Sequence, residues 1–168
     1  MISIESQTIR RNDYTDANFI DGKIIDSTFS YCNFSNPKID GCRFQNINFV
    51  DCKLMGLIFT KSNQLMLKIN FENCLLSNCT FTGLDLSKTD FVSCEIKDCY
   101  FADTNLSNSN FKKSDLAGTT FDKTNLFKAS FLDAKNYQID PTINNIRKAK
   151  FTYPEVIGLL KSFDIEIS

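Results

Sequence analysis

From Tyr14 onward, every fifth residue is large and apolar: Phe19, Ile24, Phe29, Phe34, Ile39, Phe44, Phe49, Leu54 and Phe59. After a shift of two residues the rhythm restarts at Met66 and runs without a miss through Phe71, Leu76 and Phe81 to Phe131. Thirteen of the sixteen phenylalanines lie on these two tracks. An α-helix repeats every 3.6 residues and a flat strand every 2.0, so neither accounts for a period of five. A fixed short period sustained over most of a chain is the mark of a solenoid, in which each unit buries its apolar face only by stacking on its neighbours.

A second inward position lies two residues before each large one. It holds Ser27, Cys32, Cys42, Cys52, Cys74, Thr104, Ser114 and similar small residues, with a poorly fitting Gln64 at the shift. All seven cysteines fall here and none elsewhere. Such cysteines read as small buried hydrophobes. Zinc sites use close pairs such as C-x2-C, often completed by His, whereas these spacings are multiples of five and the chain has no His. Seven is odd, which forbids a complete intramolecular disulfide set, and parallel strands ~4.8 Å apart suit Cβ···Cβ bridging poorly.

A longer period lies over the five. After the shift, Phe alternates with Leu, Ile or Met, and cysteines recur at a spacing of twenty within a block. A four-sided, twenty-residue coil stacks like on like. Phe71, Phe91, Phe111 and Phe131 then form one ladder, Phe81, Phe101 and Phe121 the opposite one. Met66, Leu86, Leu106 and Leu126 form a third, and Leu76, Ile96 and Leu116 a fourth.

The triplets ANF (17–19), TNL (104–106), SNF (109–111), SDL (114–116) and TNL (124–126) resemble the pentapeptide-repeat family: a small residue, Asp or Asn, Leu or Phe, then two variable positions. The resemblance covers residues 12–131. It implies an all-β fold, a right-handed quadrilateral β-helix of about six coils, roughly 29 Å tall at ~4.8 Å per coil. On this reading residues 1–131 are the β-helix, with a register slip at about 60–66. Residues 132–168 form a C-terminal cap, because an uncapped solenoid exposes apolar cross-section and strand edges. Within it, Asp140-Pro141 predicts the start of a short helix to about Lys148, and Thr152-Tyr153-Pro154-Glu155 a capping box opening a second. Val156, Leu159, Leu160 and Phe163 form its apolar stripe, a candidate cap or dimer surface, and Ile165 and Ile167 a terminal strand. The slip makes Lys61, Ser62, Asn63 and Gln64 a candidate partner-contact loop, since loops on rigid scaffolds carry binding.

Composition narrows the function. Without His the commonest general base is missing, no Ser-His-Asp or Cys-His set can form, and no P-loop or dinucleotide fingerprint is present. The expectation is a non-catalytic protein with no cofactor and no metal. No apolar run is long enough to span a bilayer, and the start MISIESQTIRRND has no signal-peptide pattern, so a cytoplasmic location is expected. Net charge is −1, evenly spread along the chain, which predicts no nucleic-acid arm. The expected role is a protein-interaction scaffold of unnamed partner. As an alternative, the resemblance to quinolone-resistance and microcin-immunity members implies binding and protection of DNA gyrase in a bacterial cell, and homodimerisation through the C-terminal end. IDPTINNI (139–146) resembles the tail of the microcin-immunity type. A full mimic of B-DNA, with one charge per ~1.7 Å, needs about 17 negative charges over this height.

Overall fold

The structure is a computed structural model and describes residues 2–166. Short parallel strands stack in register, twenty residues apart save for one step of twenty-two: Ser3–Glu5 on Lys23–Ser30, that strand on Arg43–Val50, then Ile69–Glu72 after the longer step, and Phe91–Val92. A second sheet stacks Asn33–Ser35, Lys53–Met55, Leu75–Ser77 and Glu95–Lys97. The remaining two sides pair through isolated bridges and short strands, such as Asp85 with Asn105 and Tyr100–Ala102 with Thr120–Asp122. The result is a β-solenoid of about seven turns, one more than the sequence predicts. Its four faces are named here by their residues in the second turn: the Ile24, Phe29, Phe34 and Ile39 faces.

The corners explain the repeat. Two residues after the large apolar centres, except at Phe59 and the register shift that follows it, the backbone enters the left-handed region, as at Asp21, Asp26, Asn36, Asp51, Asn73, Asp98 and Lys113. Asn and Asp tolerate this conformation better than other non-glycine residues, which accounts for their frequency. At many corners an Asp or Asn before the centre accepts the backbone N–H two residues on, as in Ser87 N to Asp85 Oδ1 (3.0 Å), Ser107 N to Asn105 Oδ1 (3.2 Å) and Ala117 N to Asp115 Oδ1 (3.2 Å). A unit with Asp or Asn at this position is thus a strand fragment with its own Asx-stabilised bend, as on the Ile24 face at Asp85, Asn105 and Asn125.

The interior is filled by side chains. On the Phe29 face Phe71, Phe91, Phe111 and Phe131 stack nearly parallel with centroids 4.8–5.1 Å apart. On the Ile39 face Phe81, Phe101 and Phe121 do the same at 4.7 and 5.3 Å. The two ladders meet edge to face, as between Phe101 and Phe111 at 87°. The small inward residues do more than fill space. Thr104 Oγ1 donates to Phe81 O of the coil below (2.9 Å), Ser114 Oγ to Phe91 O (2.6 Å) and Thr119 Oγ1 to Ile96 O (2.8 Å). Cysteine thiols point at the equivalent carbonyls, Cys52 at Phe29 O and Cys74 at Phe49 O, both 3.3 Å. Small residues with a donor suit this position because the carbonyl below has a spare lone pair to satisfy. All seven thiols are free and buried. Burial pushes the Cys42 thiol up to about 12.

Four expectations are corrected. Coiling does not stop at Phe131: Lys135 bridges Asp115, Asn145 bridges Asn125, and Lys150–Phe151 pairs with Ser130–Phe131. Phe151 stacks on Phe131 at 5.1 Å. The rhythm fades in the sequence because Gln138 pairs with Thr120, eighteen residues back, before the twenty-residue spacing returns at Asn145. Next, the helix expected from Asp140 to Lys148 does not form. Asp140 Oδ1 instead accepts Thr142 N (2.8 Å) and Thr142 Oγ1 (2.7 Å), making another bend. Finally, the predicted capping box is absent, since Thr152 Oγ1 accepts Asp133 N (2.8 Å) and the following 3-10 helix, Glu155–Phe163, starts after Pro154 with no side-chain cap. Ile165 and Glu166 form no strand, and Ile167 lies outside the described residues.

Candidate protein-contact surfaces

The register shift is local. Asn63 still bridges Arg43 at a spacing of twenty, whereas Ile69 pairs with Ile47 at twenty-two. The two extra residues therefore lie between 64 and 68, at the corner leading off the Ile24 face. The interior is indifferent to them on the next face, where Phe49 and Phe71 stack at 5.4 Å and 10°.

The four residues singled out from the sequence divide. Lys61 ends a 3-10 turn, Phe59–Lys61, its ammonium 3.7 Å from Asp40 and its carbonyl accepting Gly41 N. Ser62 is buried and cannot be a contact residue. It fills the inward position expected for Gln64, and its Oγ donates to Phe59 O (2.6 Å). Asn63 is exposed and its Oδ1 accepts Leu65 N (2.9 Å), setting the bend from which the loop leaves. Gln64 is exposed on the loop.

The loop's apex was missed in that set. Met66, placed inward by the five-residue count, is 58% exposed with φ +61°, and Leu65 beside it is 66% exposed. Counting from Leu86 back to Met66 assumes that the extra residues precede position 66. The structure places them around it, and Leu67 packs partly against the core instead. The signal that could have found this was Ser62, a small residue in phase with Cys42. Arg43 Nη2 donates to Gln45 Oε1 (2.7 Å) and Met66 Sδ (3.1 Å), tying the loop to the coil below. An open cleft of about 650 Å³ runs beside the loop, lined by Gln45, Gln64, Leu67, Lys68, Leu84 and Lys88.

At the C-terminal end the apolar stripe splits. Leu159 is buried and Val156 packs against the core, closing the last coil. Leu160 and Phe163 are 39% and 49% exposed, continuing into exposed Ile165.

Charge is not evenly distributed around the coil. The Ile24 face carries seven cations, Lys23, Arg43, Lys68, Lys88, Lys128, Arg147 and Lys148, against three carboxylates, Glu5, Asp26 and Asp85. The Phe34 and Ile39 faces each carry an excess of two negative charges. No face approaches the charge density of a DNA mimic. Among the described residues no group of His, Cys, Asp and Glu could hold a metal, and no helix is long and apolar enough to cross a membrane.

A family model described as a pentapeptide repeat region matches residues 63–131. Among solved structures, full-length QnrB1, a plasmid-mediated fluoroquinolone resistance protein, is similar at 16% identity, covering 97% of this chain and 100% of its own, with a TM-score of 0.25. Rfr23, a pentapeptide repeat protein from the cyanobacterium Cyanothece 51142, is similar at 8% identity over 90% and 85% of the two chains, TM-score 0.33. HetL from Nostoc sp. strain PCC 7120, involved in regulation of heterocyst differentiation, is similar at 13% identity over 89% and 86%, TM-score 0.24. No curated protein sequence matches the chain. Residues 63–131 are thus a pentapeptide repeat region, and the same five-residue unit recurs on the coils before and after it.

Proposed function

We propose that the protein is a non-catalytic scaffold that engages a protein partner through the loop at 64–67. The observation that carries this is the exposure of Leu65 and Met66 at the corner where two residues are added to the coil between Asn63 and Ile69. Two adjacent apolar side chains held outward on a rigid support are the kind of anchor that dominates interface energies. The filled interior leaves the outer surfaces to carry function, and Leu160 and Phe163 provide a second apolar surface on which another copy of the chain can dock.

The partner named by the resemblance is DNA gyrase, and loop contact suits it better than mimicry because an excess of two negative charges on a face falls far short of the charge density of B-DNA. The test is a gyrase supercoiling assay with a quinolone, titrating the wild type and a variant lacking Leu65 and Met66. Rescue by the wild type and its loss in the variant support gyrase as the partner. With no effect at any ratio the gyrase reading fails. A photocrosslinker at position 65 then tests the scaffold itself, which fails if no protein is captured there in cells.

A further inference from the structure

We propose that the C-terminal half of the Ile24 face binds the phosphate backbone of a nucleic acid. The near-zero net charge conceals a segregated distribution. From Thr104 to Lys148 this face has no carboxylate, and it presents Lys128, Arg147 and Lys148, all exposed. Lys88 lies in line with them toward the N-terminus, and Lys150 borders them on the adjoining face. Lys88 and Lys148 are three coils apart, a basic track of ~14 Å.

Among the described residues no carboxylate forms an ion pair with these cations. The ion pairs among the described residues involve Lys61, Lys97 and Lys135, on other faces. Lys128 and Lys148 occupy equivalent corners of successive coils, ~4.8 Å apart along the axis. Both ammoniums lie over the half-buried Phe127 ring, 5.3 and 6.0 Å from its centroid. The ring quadrupole holds two like charges together that would otherwise separate. An anion shared between them would relieve the remaining repulsion.

The surface between the charges is flat and fixed. Asn145 Nδ2 donates to Asn125 Oδ1 (2.9 Å), Asn125 Nδ2 to Asn105 Oδ1 (3.0 Å) and Asn105 Nδ2 to Asp85 Oδ1 (3.0 Å). This amide ladder runs beside the basic track. Cations aligned along one edge of a polar strip, at separations of one and two coils, match the repeating charge of a polyanion. Docking of an acidic protein surface would lean on a desolvated apolar anchor, whereas the strip between the charges is built of asparagines, with half-buried Phe127 on it and exposed Ile143 at its margin. The inference does not rest on the loop-contact reading, which concerns the turn at 64–67.

Fluorescence anisotropy with a labelled 20-nucleotide strand of mixed sequence, single-stranded and as a duplex, tests it. The wild type should bind at low salt, with log affinity falling against log salt with a slope of about −3 for the single strand, as four to five phosphate contacts require. The variant Lys128→Gln/Arg147→Gln/Lys148→Gln should bind at least tenfold more weakly with an unchanged melting temperature. Lys53→Gln/Lys97→Gln/Lys135→Gln, equal in charge change but on the Phe34 face, should stay within about twofold. The two probes decide between a single strand and a duplex as the form bound. Absence of binding to both, equal loss in both variants, or tighter binding to polyglutamate would each overturn the proposal, the last in favour of an acidic protein.

Discussion

Replacing Phe101 with alanine tests the architecture at its centre. The ring is fully buried, stacked on Phe81 at 4.7 Å and 3° and on Phe121 at 5.3 Å and 8°, and meets Phe91 and Phe111 edge to face at 5.7 and 6.2 Å. Removing it forfeits about 1.5–3 kcal/mol of apolar burial, and aromatic pairs each add about 0.5–1.5 kcal/mol beyond area. The neighbours above and below are held by the backbone ladder, so the site cannot collapse onto the gap. The cost should fall in the upper part of the usual ~3–5 kcal/mol range for such truncations. Tyr100, one residue away, is 53% exposed, and Tyr100→Ala should cost less than about 1 kcal/mol. Urea unfolding followed by far-UV circular dichroism measures both, read as midpoint shifts at constant m-value. Costs equal within about 0.5 kcal/mol, smaller than the usual spread of such effects, would refute the inward and outward assignment of adjacent residues.

Thiol titration should find almost no reactive cysteine in the native protein and seven in denaturant, since all seven are buried and free. Cys42, raised from 9.0 to about 12, stays protonated in the folded state while the unfolded thiol ionises. The unfolded chain then binds fewer protons, so this contribution to stability is intact below pH 9 and is lost between pH 9 and 12, by up to about 1.4 kcal/mol per pH unit. A Cys42→Ala variant should show a shallower decline in denaturation midpoint over that range. Gly41→Ala should be more destabilising than Gly83→Ala: both sit at left-handed φ, but a Cβ at Gly41 would lie 2.2 Å from Asp21 Oδ1, while nothing lies within 4 Å at Gly83. The difference should be about 1 kcal/mol or more, a cost typical of displacing a side chain from its rotamer, and visible as a lower melting temperature. Deleting Leu65 and Met66 should leave the far-UV spectrum and melting temperature nearly unchanged, because it restores the twenty-residue spacing. Deleting Lys61–Gln64 instead removes buried Ser62 and the Asn63–Arg43 bridge and should lower the melting temperature clearly.

The interior was readable because it depends on one periodic requirement. A residue at a multiple of five from Phe71 has its direction set by the coil, and Leu76 through Phe131 are all buried as expected. Met66 was misplaced because periodicity locates a phase shift only to within the segment where both phases are weak. Hydrogen bonds such as Ser62 Oγ to Phe59 O settle where the extra residues go. The last coil was hidden for a similar reason: Gln138 and Asn145 pair at spacings of eighteen and twenty, and no single period fits both. The basic track was invisible to a linear count because Lys88, Lys128 and Lys148 are separated in the chain by residues that belong to other faces. Only the fold aligns them.

The corner at 64–68 also has a meaning for engineering. Its two added residues act as a defect that heals within a single side of the square, since the rings at Phe49 and Phe71 stack as though nothing intervened. Each residue up to Lys135 therefore keeps an azimuth around the tower that depends on its number modulo twenty, corrected by two beyond the loop. A peptide grafted at this corner would inherit a known compass bearing, and a whole turn inserted elsewhere would lengthen the tower without rotating anything already displayed on it.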